Sequence, residues 1–340
     1  MLYKELVEVY KKLESTTSKL EKTEILAKFF SQVPSEDLEI AVNLASGFIF
    51  PPYSELELGV ATQLMIRALA KTCGFSPKEI ERKFAETGDL GIVAEELVKR
   101  KKQRPIFARE LTLDYIYNTF EKIAKASGKG AQEKKLDLIV SLLHFASPEE
   151  AKYLTRTILG ELRIGVAEGI VRDAIASAFL LKPGSSKEEK ERAIEAVDYA
   201  YNILCDFGEV AKIAKQKGIK GLREVKIVVG RPVKVMLAEK AKNIEEAMRA
   251  LGGEVAIEFK YDGMRAQIHK KGDKIWVYTR RLENVTKQFP DLVELARRNL
   301  KCDECVVEGE VWAISKETGM PFPFQAVSYT HLTLPTTERV

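Results

Sequence analysis

From Met1 to about residue 218 the apolar positions recur every three or four residues. Leu2, Tyr3, Leu6, Val9, Tyr10 and Leu13 make the first such stripe, the spacing that turns one face of a helix toward a core. The gaps between stripes carry helix punctuation. Ser76-Pro77-Lys78-Glu79 and Ser147-Pro148-Glu149-Glu150 each supply an N-cap hydroxyl, a first-turn proline and a capping-box glutamate. Pro51-Pro52, Gly88 and Pro183-Gly184 divide further helices, and Lys187 to Cys205 is another long amphipathic run.

The pattern changes near residue 219. Residues 225–238 bring β-branched, strand-like runs. Asn243-Ile244-Glu245-Glu246 caps a helix that ends near Gly252-Gly253. An apolar strand is predicted over Val255–Phe259, and a hairpin over 264–270 and 274–280 with its turn at Gly272-Asp273. A last strand is predicted over 306–313. The reading is an all-α domain over 1–218 joined to an α+β domain over 219–325.

Composition fits this division. A chain of 340 residues, 45% hydrophobic and 31% charged, suits two or three globular domains. Its net charge of +4 permits nucleic-acid binding without arguing for it. No apolar stretch approaches a membrane-spanning length, and Met-Leu-Tyr-Lys-Glu is not a signal peptide, so a cytoplasmic protein without a membrane partner is expected. Of Cys73, Cys205, Cys302 and Cys305, only the last two have metal-like spacing; they lack a second pair and read as free thiols. His144, His269 and His331 form no cluster, and no G-x-x-x-x-G-K-[S/T] loop is present.

Candidate chemistry lies in the second domain. Residues 258–265 read Glu-Phe-Lys-Tyr-Asp-Gly-Met-Arg. In a strand, Glu258 and Lys260 share one face while Ile257 and Phe259 take the other. A lysine attacks as the neutral amine, which partial burial and a nearby cation such as Arg265 favour. An ordinary strand-end ion pair between Lys260 and Glu258 explains this motif taken alone. Two further motifs follow in order. Thr279-Arg280-Arg281-Leu282-Glu283-Asn284-Val285-Thr286 closes the hairpin, and Glu308-Gly309-Glu310 places two carboxylates on one face of the last strand, a set suited to a metal or a ribose.

The octapeptide resembles the nucleotidyl-transfer motif of ATP-dependent DNA ligases, a motif that RNA ligases and mRNA capping enzymes share. The second segment is similar to the S/T-R-R-x-x-N-V-T stretch of cellular DNA ligases, and the third resembles their [D/E]-G-E motif. The resemblance implies that Lys260 is the catalytic nucleophile that takes AMP from ATP. It implies that Glu258, Arg265, Arg280 and Glu310 bind ATP, and that Mg2+ assists with ligands left unassigned. One departure is Val235, where the family has proline before Met236-Leu237-Ala238.

Upstream, Leu13–Thr17, Glu86–Gly91 and Thr155–Gly169 resemble the DNA-binding domain ahead of the catalytic core in archaeal and eukaryotic replicative ligases, most nearly the archaeal type. The implied fold is multidomain, an all-α N-terminal DNA-binding domain followed by a partial α+β nucleotidyltransferase (adenylation) domain. Arg156 and Arg163 are candidate DNA contacts, with Gly165, where a backbone can come close to a phosphate. Lys101 and Lys102 of the basic run 99–104 are further candidates. Helix packing by small residues and a solvated loop account for these features equally well.

The implied reaction is the sealing of nicks in duplex DNA through lysyl-AMP and DNA-adenylate intermediates, in replication, repair and recombination. Nicked double-stranded DNA is the expected partner of a monomer, with a sliding clamp as a second. The alternatives are a non-catalytic DNA-binding fragment, or an RNA ligase or capping-type nucleotidyltransferase, against which the long helical domain argues. Residues 326–340 are Thr-rich and poor in charge and are expected to lie outside the family. The second half of the adenylation domain and an OB-fold domain do not follow, so the 340-residue chain is expected to seal nicks poorly.

Overall fold

The computed structural model describes residues 1–101, 109–236, 238–315 and 317–322. Two compact units divide the chain, Met1–Val225 and Lys226–Val340. The first runs past residue 218 because its last helix continues to Arg223.

Among its described residues the first unit is built from helices. They are α1 (Tyr3–Glu14), α2 (Lys19–Gln32), α3 (Leu38–Ala45), α4 (Thr62–Cys73), α5 (Pro77–Thr87), α6 (Leu90–Lys99), α7 (Leu113–Lys125), α8 (Ala131–Phe145), α9 (Pro148–Ile158), α10 (Glu168–Phe179), α11 (Lys187–Leu204) and α12 (Phe207–Arg223). The N-cap hydroxyls read from the sequence form, but the box closes only at Ser147, since at Ser76 the hydroxyl accepts from the Glu79 amide at 3.3 Å without the return bond. Ser147 Oγ accepts from the Glu150 amide at 3.2 Å while the Glu150 carboxylate accepts from the Ser147 amide at 2.8 Å, so two otherwise orphaned donors are satisfied at one helix start. Apolar stripes meet in one core, where Tyr3, Tyr10, Phe30, Phe120 and Tyr153 are fully buried. Within it α6 packs on α9 and α2 on α10.

The second unit opens with α13 (Ile244–Leu251), which Asn243 caps through the Glu246 amide at 2.8 Å and Gly252 ends in the left-handed conformation. Its apolar stripe of Ile244, Met248 and Leu251 is exposed, and none of its residues is buried. Three antiparallel strands follow in the order β2-β1-β3. β1 (Met264–Lys271) turns through Gly272-Asp273 into β2 (Lys274–Thr279), with Lys271 opposite Lys274. After α14 (Pro290–Asn299), β3 (Glu304–Val311) pairs with the free side of β1. One sheet face carries Met264, Ala266, Ile275 and Val277 into a small core with Val285, Phe289 and Ala296.

Two strand predictions fail. Val255–Phe259 joins no ladder, and Ile257 and Phe259 are 92% and 86% exposed. Apolar character lends strand propensity, but a strand needs a partner for its amides and carbonyls, and the described residues offer this segment none. The runs within 225–238 also form no strand among the described residues. There Val233 is held by a side chain instead. Its amide donates to Gln267 Oε1 at 2.8 Å and its carbonyl accepts from Gln267 Nε2 at 3.3 Å, so one amide group stands in for a rung of the ladder.

Candidate functional site

The β1–β3 register sets Arg265 opposite Glu310 and Gln267 opposite Glu308. Residues directly opposite, and those two apart along a strand, share a face. Arg265, Gln267, Glu308 and Glu310 therefore lie together on the face turned away from the small core. Arg265 sends Nε to one Glu308 oxygen at 2.8 Å and Nη2 to the other at 2.7 Å. This hydrogen-bonded carboxylate holds the guanidinium above its ordinary range. The fork fixes the plane of the arginine while leaving it 40% exposed. Glu310 takes no ion pair among the described residues.

β1 begins where β2 and β3 end. The segment carrying Lys260 enters at this edge, and Arg280 leaves β2 at the same edge. Two contacts pin the Lys260 segment to the end of β3. The Tyr261 ring stacks on Trp312 with centroids 4.6 Å apart. A Cβ at Gly263 would meet the Val311 carbonyl oxygen at 2.6 Å, so only glycine lets the chain pass there. Lys260 and Glu258 themselves are exposed. The partial burial suggested for Lys260 is not found, because the strand meant to present it is unpaired. Arg280 is exposed as well. The sheet thus assembles Arg265, Glu308 and Glu310, while Lys260 and Arg280 share its edge.

The sequence motifs did not reveal the polar clamp beside this cluster. His269 is fully buried, accepts at Nδ1 from the Gly230 amide at 3.0 Å and lies 2.8 Å from Gln267 Oε1 through Nε2. An amide can only donate, so Nδ1 must be bare and Nε2 must carry the proton. Burial pushes the imidazole down to about 4. Tyr278 donates to the Gly230 carbonyl at 2.6 Å. The one signal in the sequence was the polar alternation Arg265, Gln267, His269 on a strand whose other face is apolar.

A hard cation such as Mg2+ keeps several waters and needs only one or two carboxylates beside substrate phosphates. Glu310 fits that donor set, since Glu308 is already spent on Arg265. No cluster of three or more metal-type side chains exists among the described residues.

In the helical unit the DNA-contact candidates separate. Arg156 is 4% exposed and donates to Asp89 Oδ2 from Nε at 3.1 Å and from Nη2 at 2.6 Å, and to Glu14 Oε1 at 3.2 Å. It joins α1, α6 and α9 and is no free surface charge, which corrects its candidacy. Burial opposes ionisation of Asp89, but the Arg156 hydrogen bonds and charge outweigh it and hold the carboxyl below its ordinary range. Arg163 is 45% exposed, has a left-handed backbone, and donates to the Gly88 carbonyl at 3.1 Å and to Glu161 at 2.5 Å. Gly165 is exposed with a positive φ of 62°. Lys101 donates to the His144 carbonyl at 3.1 Å, so it ties down the end of α8. Lys102 lies outside the described residues.

An all-helical unit followed by a sheet whose edge gathers a motif lysine, two arginines and a glutamate defines a partial nucleotidyltransferase fold. Residues 2–176 match the family described as "DNA ligase N terminus" and residues 235–334 match the "ATP dependent DNA ligase domain". The second match reaches into the segment after 325 that was expected to lie outside the family. A DNA ligase of Thermococcus fumicolans is 46% identical over 96% of this chain and 56% of its own length. DNA ligases of Thermococcus onnurineus, 45% identical, and Nanoarchaeum equitans, 44% identical, match with the same coverage. The chain belongs to the ATP-dependent DNA ligase family, and it spans about half the length of the curated relatives it matches. Among the described residues no helix is long and apolar enough to cross a membrane.

Proposed function

We propose that this chain carries the nucleotide-accepting step and the DNA grip of an ATP-dependent DNA ligase. The Lys260 ammonium gives a proton to solvent, and the neutral amine attacks the α-phosphorus of ATP, releasing a second proton as the phosphoramidate forms. A nitrogen–phosphorus bond forms, the bond to the departing pyrophosphate breaks, and Lys260 holds AMP. The observation that carries this reading is the Arg265–Glu308 fork beside Glu310, at the sheet edge to which Tyr261 and Gly263 anchor the Lys260 segment. Arg265 and Arg280 supply planar paired donors for phosphate or ribose oxygens, and Glu310 accepts from ribose or holds Mg2+. The cation, when bound, neutralises charge on the phosphates. Charge stabilisation at phosphorus is the main demand of such a transfer.

In the complete reaction AMP passes to the 5′-phosphate at a nick, and the 3′-hydroxyl then displaces it. The helical unit grips the duplex backbone through the Arg163–Gly165 loop, without sequence preference and with strong salt dependence. Replication, repair and recombination are the settings in which such nicks arise, and every group named lies on one chain, as a monomer requires.

The test is incubation of the chain with α-labelled ATP and Mg2+ beside Lys260→Ala. The expected result is a labelled wild-type band that is absent from the variant. An unlabelled wild-type chain, or a variant that still labels, overturns the assignment.

A further inference from the structure

Lys22 sits in the first turn of α2 at a core-facing position, in register with buried Leu26 and Phe29. It is 6% exposed. Its ammonium finds no carboxylate among the described residues, although burying an unpaired charge is costly. Instead it donates to two consecutive carbonyls of the α9–α10 connection, Ile164 O at 2.6 Å and Gly165 O at 2.9 Å.

This grip has a geometric consequence. Every peptide bond described is trans, and in a trans peptide the N–H points opposite to the C=O. Pulling the Ile164 and Gly165 carbonyls toward α2 aims the amides of Gly165 and Val166 the other way. Neither amide donates to any described residue. Gly165 fits the arrangement twice over, through its positive φ of 62° and because a Cβ there would lie 2.7 Å from the Lys22 Nζ. The loop is also strained at Arg163, a non-glycine residue with φ of 57°, and strain of this kind persists only where the surroundings enforce it.

We propose that Lys22 is a positioning residue for DNA binding, which aims the Gly165 and Val166 amides at a backbone phosphate of the duplex beside Arg163. This rests on the reading of the helical unit as the DNA grip. The buried charge also polarises both peptide groups, so their amides donate more strongly to an anion.

The test is nicked-duplex binding by the full chain, read by fluorescence anisotropy over a range of salt for wild type, Lys22→Met, Lys22→Arg and Arg163→Ala. Lys22→Met is expected to bind at least about tenfold more weakly with the salt slope retained, and Lys22→Arg to recover most of the loss. Arg163→Ala is expected to lower the slope by about one. Wild type that does not bind nicked duplex overturns the DNA-grip reading itself. Wild type that binds beside a folded Lys22→Met of equal affinity overturns the role of Lys22 alone. Should Lys22→Met fail to fold, the decision rests on the 15N-glycine-labelled wild-type chain. A shift of the Gly165 amide on adding nicked duplex is expected, and an unmoved Gly165 amide in the bound state overturns the proposal.

Discussion

Arg265 faces Glu310 across the β1–β3 ladder but gives both prongs of its guanidinium to Glu308, the next residue on the same face of β3. The diagonal pairing fixes the arginine and leaves the opposite glutamate uncommitted. A fork locked in this way presents its remaining donor edge without further ordering cost, which is what a transfer at phosphorus requires.

Glu308→Gln keeps the shape but removes the charge that orients Arg265. AMP labelling of Lys260 is expected to slow by about 10²-fold, the cost typical of a misplaced catalytic group. The melting temperature should hardly move, because a part-exposed pair contributes about 0–1 kcal/mol. Labelling rates with α-labelled ATP and a thermal melt on the same sample separate the two effects. Equal labelling in variant and wild type would remove Glu308 from the site.

Trp312→Ala removes the ring on which Tyr261 stacks. Aromatic pairs contribute about 0.5–1.5 kcal/mol beyond burial, so the anchored state of the Lys260 segment loses roughly two- to tenfold in population. Labelling should slow by that factor, and limited proteolysis should cut more readily within residues 254–262. A proteolysis pattern identical to wild type would show that the stack does not hold the segment.

Arg156→Met takes from Asp89, 7% exposed, its close cation and leaves only Arg163 Nη1 at 3.7 Å among the described residues. Breaking one side of a buried pair costs about 3–5 kcal/mol, readable as a lower urea midpoint for the helical signal. The same pair sets an acid limit. Despite burial, the Asp89 carboxyl is held below its ordinary value by Arg156, and Glu14 is likewise lowered by Tyr153, Lys152 and Arg156. A carboxylate lowered in the folded state contributes stability that is present above its unfolded pKa and is lost as pH falls through the folded one. Wild type should therefore lose stability steeply below about pH 4, and Arg156→Met less steeply. Parallel pH profiles for the two proteins would contradict this account.

Burial lowers the His269 imidazole from 6.5 to about 4. Between those values the unfolded chain binds a proton that the folded chain refuses, so stability falls as pH drops through this window and levels off below it. The loss is on the order of 3 kcal/mol. Denaturation followed by the fluorescence of Trp276 and Trp312 from neutral to acid pH should show the slope, and His269→Gln should flatten it. An unchanged slope in His269→Gln would assign the proton to another group.

Local pattern carried much of this protein. The capping box at Ser147, the Asn243 N-cap, the Gly272-Asp273 hairpin turn and the order of the lysine, arginine and acidic motifs all follow from residues within a few positions of one another, because caps, turns and periodic faces are satisfied locally. Other features had no local signature. Arg156 reads as a surface charge until α1 and α6 bring Glu14 and Asp89 around it, and no residue near Lys22 in the chain announces that the α9–α10 connection supplies the carbonyls it donates to.

By itself, then, the sequence determined the helices, the hairpin and the chemical inventory of the nucleotide site. Only the tertiary structure decided which groups use that inventory. It left Val255–Phe259 unpaired, gave Arg265 to Glu308 rather than to the glutamate opposite, and turned Arg156 and Lys22 inward. The reason is physical. Backbone ladders, buried charges and ion pairs are completed by partners far away in the chain, and no short window of sequence contains both halves of the bond.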